Sequence, residues 1–128
     1  MPSATLTIPP SVEHVRTARL VAVAAARRAG LADEAVDDVR LAVGEIVARA
    51  VLRHGAAALE TGIEVVVSDD DGFQVEVLDG SDPARPDEDD GVALALVRSL
   101  VPEVVADGGR IGLRWPLGAD GADGAAAG

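Results

Sequence analysis

Glu45 and Arg49 stand four residues apart in an apolar run from Leu41 to Leu52, the spacing of one helical turn. An acid and a base so placed form a helical ion pair worth about 0.2–0.5 kcal/mol on an open surface. Apolar residues flank Glu45 on both sides, so its carboxylate is not simply solvated. Asp79-Gly80 is the second pattern, at the end of an alternating apolar stretch, and by itself reads as a turn. The third is an acidic segment, SDPARPDEDD at residues 81–90, running into Gly91-Val92-Ala93. Asp89 or Asp90 there is placed to cap a helix that opens at Gly91. Other chemistry is scarce. With no Cys there is no thiol or Cys-ligated zinc, and His14 and His54 are too far apart in sequence to suggest a metal site. We therefore expect no metal site built from this chain's ligands. His54 sits at a helix end, where it complements the dipole, and His14 reads as a surface residue.

The elements that must position these residues follow from periodicity. Thr5 to Ile8 alternates as a short strand, ended by Pro9-Pro10. Ser11 is placed to cap a helix reaching Gly30, with Glu13 in its first turn and Arg27 and Arg28 in its last. Its apolar residues are largely Ala and Val, so a neighbour packs close. A second helix runs from about Asp33 to His54-Gly55. Val36, Val39, Val43, Ile46, Val47 and Ala50 form its main apolar stripe, and Leu41, Ala48 and Leu52 predict cover on another side. The period then becomes two: Ile63, Val65, Val67, the turn Asp69 to Gly72, then Phe73, Val75, Val77 give a hairpin ending at Leu78-Asp79-Gly80. Residues 81–90 form a loop, Gly91 to Val101 a short helix, and Pro102 to Ala106 and Arg110 to Trp115 two last strands. The resulting β-α-α-β-β-α-β-β order predicts an α+β fold, with a single mixed or antiparallel β-sheet and helices packed on one face. One domain spans residues 1–117, and the Gly, Ala and Asp tail at 118–128 reads as disordered.

The helix run Arg40 to Val51, the strand ending in Asp79 and the segment Gly91 to Val97 resemble the GHKL (histidine kinase/HSP90-like) ATPases, in order and spacing. The closest branch is the small bacterial anti-sigma-factor serine-protein kinases. The resemblance covers residues 4 to about 117 and implies the Bergerat-type ATP-binding fold. It also implies roles. Glu45 matches the general base, and Arg49 stands where an Asn helps hold Mg²⁺. Asp79 matches the Asp that reads the adenine amino group. Gly80 belongs to the same Asp-x-Gly-x-Gly box, whose two required Gly positions are here Ser81 and Pro83. Gly91, Val92 and Ala93 match a Gly-x-Gly segment that opens a phosphate-cradling helix, with Ala93 in place of its second Gly. Glu45, Asp79 and Gly91 thus survive out of seven positions compared. Arg49 has no acceptor with which to ligate a metal, although as a fork donor it could instead hold phosphate directly.

Composition bears on both partner and ligand. The 128 residues carry 22 acids against 11 basic residues, all Arg, for a formal charge of -11. Such a chain presents no general nucleic-acid face. No apolar run approaches the ~20 residues of a membrane span, and no signal peptide is apparent, so the expectation is a cytoplasmic protein. The loop that the resemblance makes a nucleotide lid holds Asp82, Asp87, Glu88, Asp89 and Asp90 against Arg85. Each like-charge approach costs roughly 1 kcal/mol near a surface, which disfavours ATP. From the resemblance and its departures we expect an anti-sigma-factor-like regulator, homodimeric, switching between a sigma factor and an anti-anti-sigma (STAS-type) protein, with ATP and Mg²⁺ bound weakly or not at all. The alternative is an active ATP-dependent serine-protein kinase that phosphorylates the anti-anti-sigma partner with Glu45 as base. A nucleotide-free adaptor domain is a third reading.

Overall fold

The computed structural model describes residues 3–56, 61–70, 72–80, 91–107 and 109–117. Strand β1 (Ser3–Ile8) leads through a single 3-10 turn (Val12–His14) into α1 (Val15–Ala29) and α2 (Asp33–Ala56). The hairpin β2 (Ile63–Ser68) and β3 (Phe73–Leu78) follows, then α3 (Gly91–Leu100), β4 (Glu103–Ala106) and β5 (Arg110–Trp115). This is the element order expected from the sequence. All strand pairings are antiparallel, in the order β1-β2-β3-β5-β4, so the sheet is not mixed. The chain reaches the outer edge with β4 and returns inward with β5 to pair with β3.

Strand alternation decides which face is covered. Ile63, Val65 and Val67 of β2, Phe73, Val75 and Val77 of β3, and Ile111, Leu113 and Trp115 of β5 are buried and share one cluster with the helices. The intervening residues are only partly covered or exposed, as period-two patterning requires. Each large side chain fully buried in this layer contributes about 1.5–3 kcal/mol relative to exposure. Against the sheet, α1 presents Val15, Ala18, Ala22, Val23 and Ala26, and these small residues let α2 lie close alongside. Gly44 of α2 stands where a Cβ would meet the Arg19 side chain of α1 at 3.0 Å.

Three local expectations change. Ser11 makes no side-chain cap; its carbonyl instead accepts the His14 N–H at 3.0 Å, which closes the 3-10 turn and delays α1 to Val15. β1 starts at Ser3, because pairing with β2 extends from Ile8↔Ile63 back to Ser3↔Ser68. Leu41 and Leu52 are exposed rather than covered, at 55% and 74%. Contacts with α1, α3 and the sheet bury a broad face of α2, but these two leucines project away from it. Gly30 ends α1 as expected, at φ +94° in the left-handed region that glycine adopts without a Cβ penalty. Among the described residues no helix is long and apolar enough to cross a membrane. The acidic segment 81–90 and the tail 118–128 lie outside the described residues.

Candidate functional site

Four-residue steps along α2 place Glu45, Arg49 and Arg53 at successive turns, about 6 Å apart along the axis. Their surroundings differ. Glu45 is partly buried, whereas Arg49 and Arg53 are only 5% and 6% exposed. A guanidinium is rarely buried this far without a compensating anion. For Arg53 the anion is Asp79, at the C-terminal end of β3 and 1% exposed. Arg53 Nε lies 3.2 Å from Asp79 Oδ2. The two atoms are not aligned as a hydrogen bond, so the contact is held by charge and proximity. The Asp79 backbone N–H donates to the Gly109 carbonyl at 2.9 Å, tying the residue to the approach of β5. Gly80 follows at φ +78°, in the left-handed region that glycine adopts without a Cβ penalty.

Glu45 and Arg49, at the expected ion-pair spacing, do not pair. Arg49 is turned into the buried side of α2 and is engaged there, and Glu45 has no hydrogen bond or ion pair among the described residues. The helical spacing is met; tertiary burial of Arg49 takes precedence over a weak local pair. His54 departs from expectation as well. It is 1% exposed, and its ring N–H at Nε2 donates to the Thr61 carbonyl, fastening the end of α2 to the chain entering β2. The helix dipole still favours a base here, but the hydrogen bond sets the geometry. His14 is partly buried beside Glu13, 3.6 Å away.

Gly91 is the first residue of α3, whose N-terminal amides have no partners within the helix. Val92 is 86% exposed and Ala93 partly buried. Ser81, Asp82, Pro83, Arg85, Asp87, Glu88, Asp89 and Asp90 lie outside the described residues, and with them the lid and the cap expected of Asp89 or Asp90. The structure thus joins Asp79 to the Glu45-Arg49 helix, but through Arg53, which the sequence reading overlooked. A signal was present: Arg53 continues the Glu45-Arg49 spacing by one more turn. It was hidden because a basic residue in the last turn of a helix already has a dipole explanation.

These side chains do not fit Mg²⁺. The guanidinium at 49 offers donors only, and no group of three or more His, Asp or Glu side chains converges among the described residues. The fit to an adenine amino group is also impaired. Such a group must donate to Asp79, and a buried cation already lies 3.2 Å from that carboxylate.

No curated protein matches the chain. The family model of the histidine kinase-like ATPase domain matches residues 8–115, from the last residue of β1 to the last residue of β5. ATP with Mg²⁺ is thus the ligand class against which the site is to be measured. With the matched span and the antiparallel sheet carrying helices on one face, the chain belongs to the histidine kinase-like ATPase domain family.

Proposed function

We propose that this ATPase-family domain acts as an anti-sigma-factor-like regulator that switches protein partners, over a nucleotide site too altered to turn ATP over. The Arg53–Asp79 ion pair carries the reading. The position that the resemblance gives to adenine recognition is occupied by an internal cation, and the position it gives to metal binding is Arg49. The partners are a sigma factor and an anti-anti-sigma (STAS-type) protein, and the domain acts as a homodimer. A formal charge of -11 favours a basic partner surface through long-range steering.

Calorimetric titration with ATP, with and without Mg²⁺, tests the site. The expected result is no binding at micromolar concentrations in either condition; micromolar, Mg²⁺-dependent binding overturns the reading. Arg49→Asn, Arg53→Ala, Ser81→Gly and Ala93→Gly together are expected to recover at least tenfold in affinity. No gain would place the obstruction in the acidic segment rather than in the altered boxes.

The active kinase is kept as a second reading on one observation. Glu45 is not neutralised by Arg49, so its carboxylate is available as a general base. Phosphotransfer to an anti-anti-sigma protein, lost in Glu45→Ala, would establish it.

A further inference from the structure

Strands β1 and β4 are the two edges of the sheet, and they differ in how they meet solvent. β4 has only four residues, follows the exposed Pro102 and opens on Glu103, three features that keep foreign strands off an edge. β1 has none of them. Its six residues contain no proline and no charge, and its register with β2 runs unbroken from Ser3↔Ser68 to Ile8↔Ile63, so no bulge twists it away. Ser3, Ala4, Thr5 and Thr7 are exposed, and among the described residues β1 is paired with β2 alone. The outer side of this strand is therefore a row of backbone donors and acceptors open to pairing.

Charge decides which chain can use it. Residues 1–12 hold no ionisable side chain, the longest such stretch in a chain of formal charge -11, and Leu20 to Ala26 of α1 hold none either. Two such chains repel wherever acids face each other, but along this strip they approach through uncharged residues. The directions of the elements add an attraction. α1 runs back along β1, since Ala4 near the start of the strand shares a groove with Ala24, Ala25 and Arg28 near the end of the helix. Antiparallel pairing of two β1 strands sets the start of one against the end of the other. The exposed Arg28 end of one α1 then turns toward the exposed Glu13 of its mate, and a two-fold axis makes that contact twice. We propose that β1 pairs antiparallel with β1 of a second copy, giving one continuous sheet of ten strands across a two-fold interface. This rests on the homodimer of the function proposed above, and it assigns that homodimer its surface.

Thr5 is exposed on the uncovered side of the sheet, opposite Val66, so Thr5→Glu adds a charge without touching the core. Analytical ultracentrifugation is expected to show a dimer for the unaltered chain at micromolar concentration. Thr5→Glu should weaken it about tenfold or more, because the introduced charges oppose each other across the axis. Val105→Glu, on the exposed opposite edge, should leave the dimer unchanged. The chain has no Cys, so Ala4→Cys, Thr5→Cys and Leu6→Cys, made one at a time, report where the axis passes. Oxidation should link dimers in at least one of these three variants and not in Val105→Cys. A dimer that persists in Thr5→Glu, that weakens as much in Val105→Glu, or that forms no cross-link along β1 overturns the assigned surface and leaves the homodimer standing. A monomeric unaltered chain overturns both, while the ATP titration above still decides the state of the nucleotide site. Should Thr5→Glu fail to fold, the cross-links alone decide.

Discussion

Arg53 and Asp79 lie 3.2 Å apart in a part of the protein from which water is almost absent. A buried pair of this kind is weak evidence of stability, since both charges had to be desolvated, but removing one partner strands the other. Arg53→Met is therefore expected to lose about 3–5 kcal/mol in urea denaturation. Adding Asp79→Asn to that variant should recover a large part of the loss, because the stranded charge is gone. A double variant no more stable than the single one would mean that Arg53 acts through its stem and not its charge. The same pair explains why Asp79 alone is a poor indicator of adenine binding: the sequence shows the carboxylate but not the cation beside it.

At the scale of elements, close packing makes two glycines behave oppositely. Gly44 lies inside α2, where glycine costs about 0.8–1 kcal/mol relative to alanine. The atom that a new Cβ would meet, Arg19 Cδ at 3.0 Å, belongs to an exposed flexible side chain that can move aside. Gly44→Ala is thus expected to stabilise by up to about 1 kcal/mol. Gly62, just before β2, faces Thr7 Cγ2 at 2.7 Å and the Ile8 carbonyl oxygen at 3.0 Å, and that backbone is held by the β1–β2 pairing. Gly62→Ala should destabilise by about 1–3 kcal/mol. Thermal unfolding of the two variants side by side gives both signs. The helix α2 was legible as an amphipathic run in the sequence, and so were the hairpin and the two last strands. Its neighbours were not: apolar spacing could not say that Leu41 and Leu52 face outward while two arginines face in.

For the whole molecule, charge is the dominant surface property. On the uncovered side of the sheet, Arg110 on β5 pairs with Glu76 on β3 at 2.5 Å, and Arg114 on β5 with Glu103 on β4 at 2.6 Å. Partly exposed pairs like these contribute about 0–1 kcal/mol each, and they use two of the eleven cations. The remaining excess of acid repels itself. Added salt screens that repulsion more than it weakens a few surface pairs, so the Tm is expected to rise by a few degrees between low and moderate NaCl. A Tm that falls with salt would show that local pairs outweigh the net charge. Screening should also slow association with a basic partner.

By itself the sequence determined the element order, the strand boundaries to within a residue or two, and the covered sheet face. These follow from hydrophobic period, turn residues and Gly30, all of which act over a few neighbouring residues. The resemblance to the GHKL ATPases, carried by the same sequence, also singled out Glu45, Asp79 and Gly91. Only the tertiary structure decided who touches whom: that Arg53 lies 3.2 Å from Asp79, that Glu45 pairs with none of the described residues, and that His54 is a buried fastening for Thr61. The physical reason is range. Periodicity records which face of an element is buried, whereas the partner of a buried charge comes from an element distant in sequence, and no local pattern encodes that distance.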